Sequence, residues 1–267
     1  SKGSGIRVIS KIEKPLAVEH SEAIIRVSDA VLIARGDMGV EMDLAQVPLV
    51  QKKIAALCRR LAKPVIVATQ VLQSMIDNAS PTRAEAADIA NAVMDGADAL
   101  MLSGETAVGR YPLAAAAALS HICRTTERFL EASGGERASM ETSPEQTEKA
   151  AVARAVAQML DEVRCACIVV CTKTGQMAHL LSKALPDVPV VSLSANRLLA
   201  RQLALCRGVI SIYQPAVSAY DDWIRLVERL LLANRWASAG DKVLLIPPLD
   251  LLTAQTSGAL ILHTLAA

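Results

Sequence analysis

Aromatic residues are almost absent from the sequence, which has one Phe, three Tyr and two Trp among 267 residues. Proteins that bind single strands of nucleic acid stack the bases on aromatic side chains, so this composition argues against that class. An excess of charge is also lacking, because 28 Lys and Arg are balanced by 27 Asp and Glu. Without a basic field to attract phosphate backbones or anionic lipids, we expect neither nucleic acid nor a membrane surface as a partner.

Long hydrophobic runs and closely paired cysteines are missing as well. No apolar stretch reaches the roughly 18–20 residues of a membrane-spanning helix, and residues 1–5 lack the apolar segment that a signal peptide carries after its basic residue. None of the six cysteines forms a C-x-x-C pair typical of zinc or redox sites. We therefore expect reduced, structural thiols in a cytoplasmic protein.

Short apolar runs rich in β-formers alternate with helical patterns along the first half of the chain. The predicted strands are 7–12, 30–34, 64–68 and 99–102. A helix is predicted after each strand, over 15–27, 44–61, 83–94 and 112–130, and Pro81 with Thr82 indicates the start of the third. Strands that alternate with helices pair in parallel and are covered on both faces. Four such units are half of an eight-stranded (β/α)8 TIM barrel.

A second alternating series follows a segment, 133–147, that is rich in Ser, Gly, Glu, Thr and Pro and has no apolar periodicity. This series predicts a doubly wound α/β domain. The predicted organisation is therefore a partial barrel over 1–132, a linker over 133–147 and an α/β domain over 148–267.

Polar residues follow each of the four predicted barrel strands, where the active sites of such barrels lie. They are Lys11 to Glu13, Arg35 to Asp37, Thr69 with Gln70, and Ser103 to Glu105. Taken singly, each has a simpler interpretation: a solvated ion pair, a turn or an ordinary strand-end hydroxyl. Their occurrence together, each directly after a strand, favours a shared site.

Alternation along a strand places Lys11 and Glu13 on the same side. The carboxylates of Glu13 and Asp37 then converge at one edge of the sheet, with Lys11 beside them. Carboxylate oxygens are the ligands that Mg²⁺ and Mn²⁺ prefer. The sequence therefore predicts a site for one hard divalent cation.

These segments resemble pyruvate kinases. The resemblance rests on VISKIE (8–13), ARGDMGVE (34–41), KPVIVATQ (63–70), PTRAE (81–85) and MLSGETA (101–107), in this order and spacing. The second domain resembles the family's C-terminal domain, most clearly at TKTG (172–175) and ARQLA (200–204). The resemblance covers nearly the whole chain and implies the C-terminal portion of such an enzyme.

The resemblance implies a glycolytic enzyme that transfers the phosphoryl group of phosphoenolpyruvate to ADP, giving pyruvate and ATP. Glu13 and Asp37 would then be the ligands of the catalytic Mg²⁺ (or Mn²⁺), and Lys11 would neutralise charge on the phosphoryl group and the enolate. The amides of Gly36 and Asp37 would hold the substrate carboxylate, and Thr69 would lie near the carbon that is protonated. The resemblance also implies a K⁺ requirement and a homotetramer.

The sequence departs from the family pattern in one large respect, because it starts at what resembles the fifth of eight barrel strands. The K⁺ ligands and the lid domain of the family belong to the earlier strands, so we expect the isolated chain to be inactive. Two other interpretations stay open: a catalytically inactive effector-binding or assembly subunit, and a metal-dependent aldolase-type barrel that acts on 2-oxo acids.

A candidate effector site lies in the second domain. In family members that sugar phosphates regulate, the loop equivalent to Thr172, Lys173, Thr174 and Gly175 binds a phosphate, and here it precedes a predicted helix N-terminus. Gln176 and Met177 follow, where many such members have a basic residue and a hydroxyl. The apolar stretch 247–258 also lacks the Gly-rich loop that often closes over the sugar. We therefore expect weak phosphate binding or none.

Overall fold

The computed structural model describes residues 5–133, 147–184, 188–251 and 259–266. The chain divides into two compact units, Ser1–Ser139 and Met140–Ala267. Most of the segment predicted as a linker, and residues 252–258 of the apolar stretch, lie outside the described residues. In the part of the chain that is described, no helix is both long enough and apolar enough to cross a bilayer.

The first unit is built around a parallel four-stranded sheet in the order β1-β2-β3-β4, as in one half of a TIM barrel. In chain order its elements are β1 (Ile9–Ile12), α1 (Pro15–Glu19), α2 (Ser21–Val27), β2 (Ala30–Ala34), α3 (Arg35–Glu41), α4 (Val47–Arg60), β3 (Val65–Ala68), α5 (Arg83–Met94), β4 (Ala99–Met101), α6 (Gly104–Ala107) and α7 (Pro112–Ser133).

Two central strands explain why this sheet forms. The sequences AVLIA of β2 and VIVA of β3 are almost entirely buried, as expected of parallel strands covered on both faces. Ile33 of β2 packs in one core cluster with Ile25 of α2 and Ile54 of α4. In-register pairing of neighbouring strands brings their carboxyl ends to one edge.

Three predicted elements differ from the structure. The predicted helix over 15–27 is broken at His20, which separates α1 from α2. The segment Gly36–Gly39 lies inside helix α3, whereas the sequence suggested a strand end or a turn. The predicted helix 44–61 begins with a 3₁₀ turn over Leu44–Gln46, because Pro48 lacks an N–H and is accommodated only in the first turn of α4.

Helix α5 has the bounds that the sequence predicts, and its N-terminus shows why. Thr82 and Glu85 form a capping box, in which each side chain bonds the other residue's backbone N–H. Glu85 also accepts bonds from the N–H and the hydroxyl of Ser74, at 2.7 and 2.5 Å. Burial by itself would raise the pKa of Glu85, but the hydrogen bonds from Ser74 and Thr82 together have the larger effect. The net result is a lowered pKa.

The second unit has a five-stranded sheet in the order β7-β6-β5-β8-β9. All its pairs are parallel except β8 with β9, the strand nearest the C-terminus. Helices between the parallel strands give a doubly wound α/β domain. In chain order the described elements are α8 (Thr147–Glu162), β5 (Ile168–Cys171), α9 (Gln176–Lys183), β6 (Val190–Ser194), α10 (Arg197–Leu203), β7 (Val209–Tyr213), α11 (Tyr220–Ala233), β8 (Lys242–Ile246) and β9 (Ile261–Thr264).

The core of this unit contains Trp223, whose indole N–H donates to the sulfur of Cys171 at 3.0 Å. Burial raises the pKa of Cys171 to about 11, and the bond from Trp223 acts in the opposite direction. Burial likewise raises the pKa of Cys167 to about 12. All six cysteines are thiols rather than disulfides, and the raised pKa of these two lowers the fraction of thiolate, the reactive form.

Candidate active site

Three charged side chains meet at the carboxyl edge of the first sheet. Lys11 lies in β1, Glu13 follows that strand directly, and Asp37 lies in the first turn of α3, after β2. The Lys11 ammonium contacts the Glu13 carboxylate and also donates to Asp37 Oδ2 at 2.7 Å. The structure therefore brings together the three residues that the sequence predicted to converge.

Pairing within the cluster shifts the pKa of Asp37 and that of Lys11. The hydrogen bond from the Lys11 ammonium lowers the pKa of Asp37. Hydrogen bonds to Asp37 and then to Glu13 raise the pKa of Lys11. All three side chains are between about one third and about one half exposed, so water screens these interactions. The result is an exposed site with two carboxylates on one cationic group.

The arrangement fits a hard divalent cation, because both carboxylates already direct oxygen atoms to one positive charge. Among the described residues, no group of three or more His, Cys, Asp or Glu side chains is arranged to hold a metal. A cation here would therefore have Glu13 and Asp37 as its protein ligands and complete its shell with water and substrate oxygens. Mg²⁺ is commonly bound in this way.

Thr69 lies next to this cluster, directly after β3. Its hydroxyl accepts a bond from the backbone N–H of Gly36 at 2.7 Å and donates to the carbonyl of Ala68 at 2.6 Å. A Cβ on residue 36 would come within 3.3 Å of Thr69 Oγ1, so glycine permits this close approach. Thr69 and Gln70 both have left-handed backbone, with φ of 66° and 53°.

Sequence reasoning did not assign a role to Arg35, whose buried side chain is held by several partners. One guanidinium nitrogen bonds Asp88 at 2.5 Å, and another donates to the carbonyls of Thr69 and Gln70 at 3.0 and 3.3 Å. An arginine at the end of a buried apolar strand was the available signal, because such a charge requires partners.

Glu105, in the fourth polar cluster that the sequence predicted, connects two segments of backbone. Glu105 is 1% exposed, and its two oxygens accept the backbone N–H groups of Leu72 at 2.9 Å and Ser103 at 2.7 Å. This carboxylate therefore ties the loop after β3 to the end of β4, and its oxygens face inward.

The candidate effector loop in the second unit is closed on itself. The hydroxyl of Thr172 accepts the N–H of Gly175 at 2.8 Å, and that of Thr174 accepts the N–H of Gln176 at 3.5 Å. Lys173 pairs with Asp250 at 2.5 Å. The donors engaged within the chain are therefore the N–H groups of Gly175 and Gln176 and the ammonium of Lys173.

Two family models match the chain. The model described as "Pyruvate kinase, barrel domain" covers residues 1–116, and that described as "Pyruvate kinase, alpha/beta domain" covers residues 150–251. The two matches follow one another in the order of the two units.

Individual relatives agree with these matches. The chain is 41% identical over 244 residues to a pyruvate kinase of Mycobacterium tuberculosis (strain CDC 1551 / Oshkosh), covering 91% of the chain and 51% of the relative. It is 41% identical over 245 residues to that of Corynebacterium glutamicum, covering 92% and 50%. A crystal structure of a pyruvate kinase from Cryptosporidium parvum superposes with a TM-score of 0.85 at 30% identity, covering 97% of the chain and 52% of that protein. The chain thus spans about half the length of the relatives it matches.

Proposed function

Because the chain belongs to the pyruvate kinase family, we propose that it carries the phosphoryl-transfer site of that enzyme. The reaction is the Mg²⁺-dependent transfer of the phosphoryl group from phosphoenolpyruvate to ADP, giving pyruvate and ATP in glycolysis. This proposal rests on one observation: the side chains of Lys11, Glu13 and Asp37 contact one another at the sheet edge, beside Thr69. Phosphoryl transfer depends on such positioning and charge neutralisation more than on covalent chemistry.

In the proposed site, Glu13 and Asp37 hold Mg²⁺ or Mn²⁺. When bound, the cation neutralises charge on the phosphoryl and enolate oxygens. Lys11 leaves the two carboxylates and places its ammonium against the transferring phosphoryl group. Its action is electrostatic and greatest where negative charge develops.

Gly36 and Thr69 act on the rest of the substrate. In the structure the Gly36 N–H is directed at the Thr69 hydroxyl, 2.7 Å away. A substrate carboxylate that accepts this N–H, together with that of Asp37, takes the place of the hydroxyl. The released hydroxyl of Thr69 then lies near the carbon that receives a proton when the enolate becomes pyruvate.

We also propose the substrates, second cofactor, assembly and location that the family resemblance implies. We assign phosphoenolpyruvate and ADP as substrates, K⁺ as a second cofactor, a homotetramer as the assembly and the cytoplasm as the location. The thiols with raised pKa, buried Cys167 and partly buried Cys171, suit a reducing compartment. The family resemblance implies that the K⁺ ligands belong to barrel strands that this chain does not contain.

The cation site is tested by titrating the chain with Mn²⁺ and following the free ion by electron paramagnetic resonance. We expect one site, whose affinity falls at least about tenfold in Glu13→Gln and in Asp37→Asn, since each removes a charged oxygen ligand. Glu41→Gln is the matched control, because Glu41 lies one turn further along α3. Unchanged affinity in both site variants would contradict the assignment.

The isolated chain is expected to form no measurable pyruvate from phosphoenolpyruvate and ADP in a coupled assay. The physical reason is that four barrel strands provide only part of the charge that must surround the transferred phosphoryl group. Adding the complementary barrel half of a relative should restore turnover. Full activity of the chain alone would refute this, and inactivity of the reconstituted barrel would favour an effector-binding or assembly subunit.

The effector loop is expected not to bind fructose 1,6-bisphosphate at micromolar concentration in titration calorimetry. A phosphate must compete with Asp250 for Lys173, and it must compete with the hydroxyls of Thr172 and Thr174 for the N–H groups of Gly175 and Gln176. Since Lys173 and Asp250 are both exposed, Asp250→Asn should improve binding by no more than about fivefold. Micromolar binding that Thr172→Ala abolishes would overturn this expectation.

A further inference from the structure

Arg35 is a buried cation at the junction of β2 and α3. Its side chain is 9% exposed, and it reaches away from the carboxylate cluster to Asp88 of α5 at 2.5 Å. Gln51 of α4 is also within hydrogen-bond distance of the same nitrogen, at 3.4 Å. Such a charge is tolerated in the interior only when it is paired, and Asp88 provides the pairing.

The other guanidinium nitrogen binds a turn that is costly to form. Thr69 and Gln70 are consecutive residues with a side chain and a positive φ, and each such residue costs of order 1–3 kcal/mol. Arg35 Nη2 donates to the carbonyls of both, at 3.0 and 3.3 Å. A planar fork of donors that is fixed by Asp88 is well suited to hold two adjacent carbonyls.

The start of α3 and the Thr69–Gln70 turn are therefore joined by two sets of hydrogen bonds. Arg35 bonds the backbone of Thr69 and Gln70 with its side chain, and Gly36, its neighbour, donates its backbone N–H to the hydroxyl of Thr69. Both groups that we assign to the substrate, the Gly36 N–H and the Thr69 hydroxyl, depend on this connection. Neither carboxylate of the cation site takes part in it.

We propose that Arg35 is a positioning residue, which holds the strained Thr69–Gln70 turn and thereby places the Thr69 hydroxyl and the Gly36 N–H for a carboxylate ligand. This inference rests on the proposed function. It predicts a separation of effects: loss of Arg35 impairs carboxylate binding and leaves cation binding by Glu13 and Asp37 intact.

The test uses Arg35→Met and two measurements on the whole chain. In hydrogen exchange, the Gly36 amide should exchange at least about tenfold faster in the variant, while the amide of Ile33 in β2 is unchanged. In titrations, the affinity for Mn²⁺ should stay within about twofold, while that of the Mn²⁺-loaded chain for oxalate, a small dicarboxylate probe, falls at least about tenfold.

Lys52→Met is the matched control, because Lys52 and Arg35 line the same cavity of about 480 Å³. Lys52 forms an ion pair with Asp95 and so does not hold the Thr69–Gln70 turn. It should leave Gly36 exchange and oxalate affinity unchanged. If Arg35→Met does not fold, Arg35→Lys replaces it in the test. The lysine keeps a positive charge for Asp88 but lacks the planar set of donors that bonds the turn. The exchange rate of the Gly36 amide should again rise while that of the Ile33 amide stays unchanged.

Two results would overturn the proposal. One is Gly36 exchange and oxalate affinity like those of the wild type. The other is a parallel loss of Mn²⁺ affinity and of protection throughout β2, which indicates a general structural role. If the wild-type chain binds neither Mn²⁺ nor oxalate, the proposed function fails, and the exchange of Gly36 against Ile33 still decides whether Arg35 holds the turn.

Discussion

Replacing Lys11 with methionine is expected to lower turnover about 10²–10³-fold in an enzyme with the complete barrel, because a preorganised charge that acts in the transition state is removed. The fold should be unaffected, since the Lys11 side chain is 51% exposed and its partners are the partly exposed Glu13 and the exposed Asp37. Steady-state kinetics with phosphoenolpyruvate and ADP measure the effect, and circular dichroism checks the fold.

The same variant should bind Mn²⁺ at least as tightly as the wild type, since the ammonium that pairs with both carboxylates is gone. A loss of turnover together with retained or stronger cation binding separates the role of Lys11 from that of the ligands. Lys14→Met is the control, because Lys14 pairs loosely with Glu41 at 3.9 Å, outside the cluster. Turnover within threefold of the wild type in Lys11→Met would exclude the proposed role.

Replacing Glu105 with alanine is expected to lower the free energy of unfolding of the first unit by about 2–5 kcal/mol. Two backbone N–H groups, of Leu72 and Ser103, lose a charged acceptor in a buried place, and each unmade bond costs about 1–3 kcal/mol. Both tryptophans lie in the second unit, so urea unfolding is better followed by hydrogen exchange of the β3 and β4 amides than by fluorescence.

Two further variants make this measurement specific. Glu105→Gln keeps one acceptor oxygen and should lose about half as much stability. Glu131→Ala removes an exposed glutamate of α7 and should change stability by less than about 0.5 kcal/mol. Equal stability of Glu105→Ala and Glu131→Ala would show that the two amides find other acceptors.

Local signals were strong enough to predict much of the fold. Continuous apolar runs defined β2 to the residue, and Pro81 with Thr82 indicated the start of α5. The rule that parallel strands end at one edge was sufficient to bring Lys11, Glu13 and Asp37 together, because it requires only strand order and alternation.

What sequence reasoning missed depends on contacts between distant residues. The bonds from Arg35 to Thr69 and Gln70 join residues 34 and 35 positions apart, and no local sequence pattern at either segment predicts them. The left-handed backbone at Thr69 goes against its own preference and is set by those contacts. Glu105 resembled a site residue at a strand end, and only the packing of the loop around Leu72 shows that it faces inward.

In the proposed site, the pairing of Lys11 with both carboxylates would make cation uptake an exchange of one positive group for another. Asp37, with its lowered pKa, has already lost its proton at neutral pH, and Lys11, with its raised pKa, keeps its own. Neither of these two groups releases a proton near neutrality, so the apparent affinity should be flat there and should decline only in acid, where carboxylates take up protons. Sites built from cysteine or histidine behave differently, because those ligands must give up protons to bind.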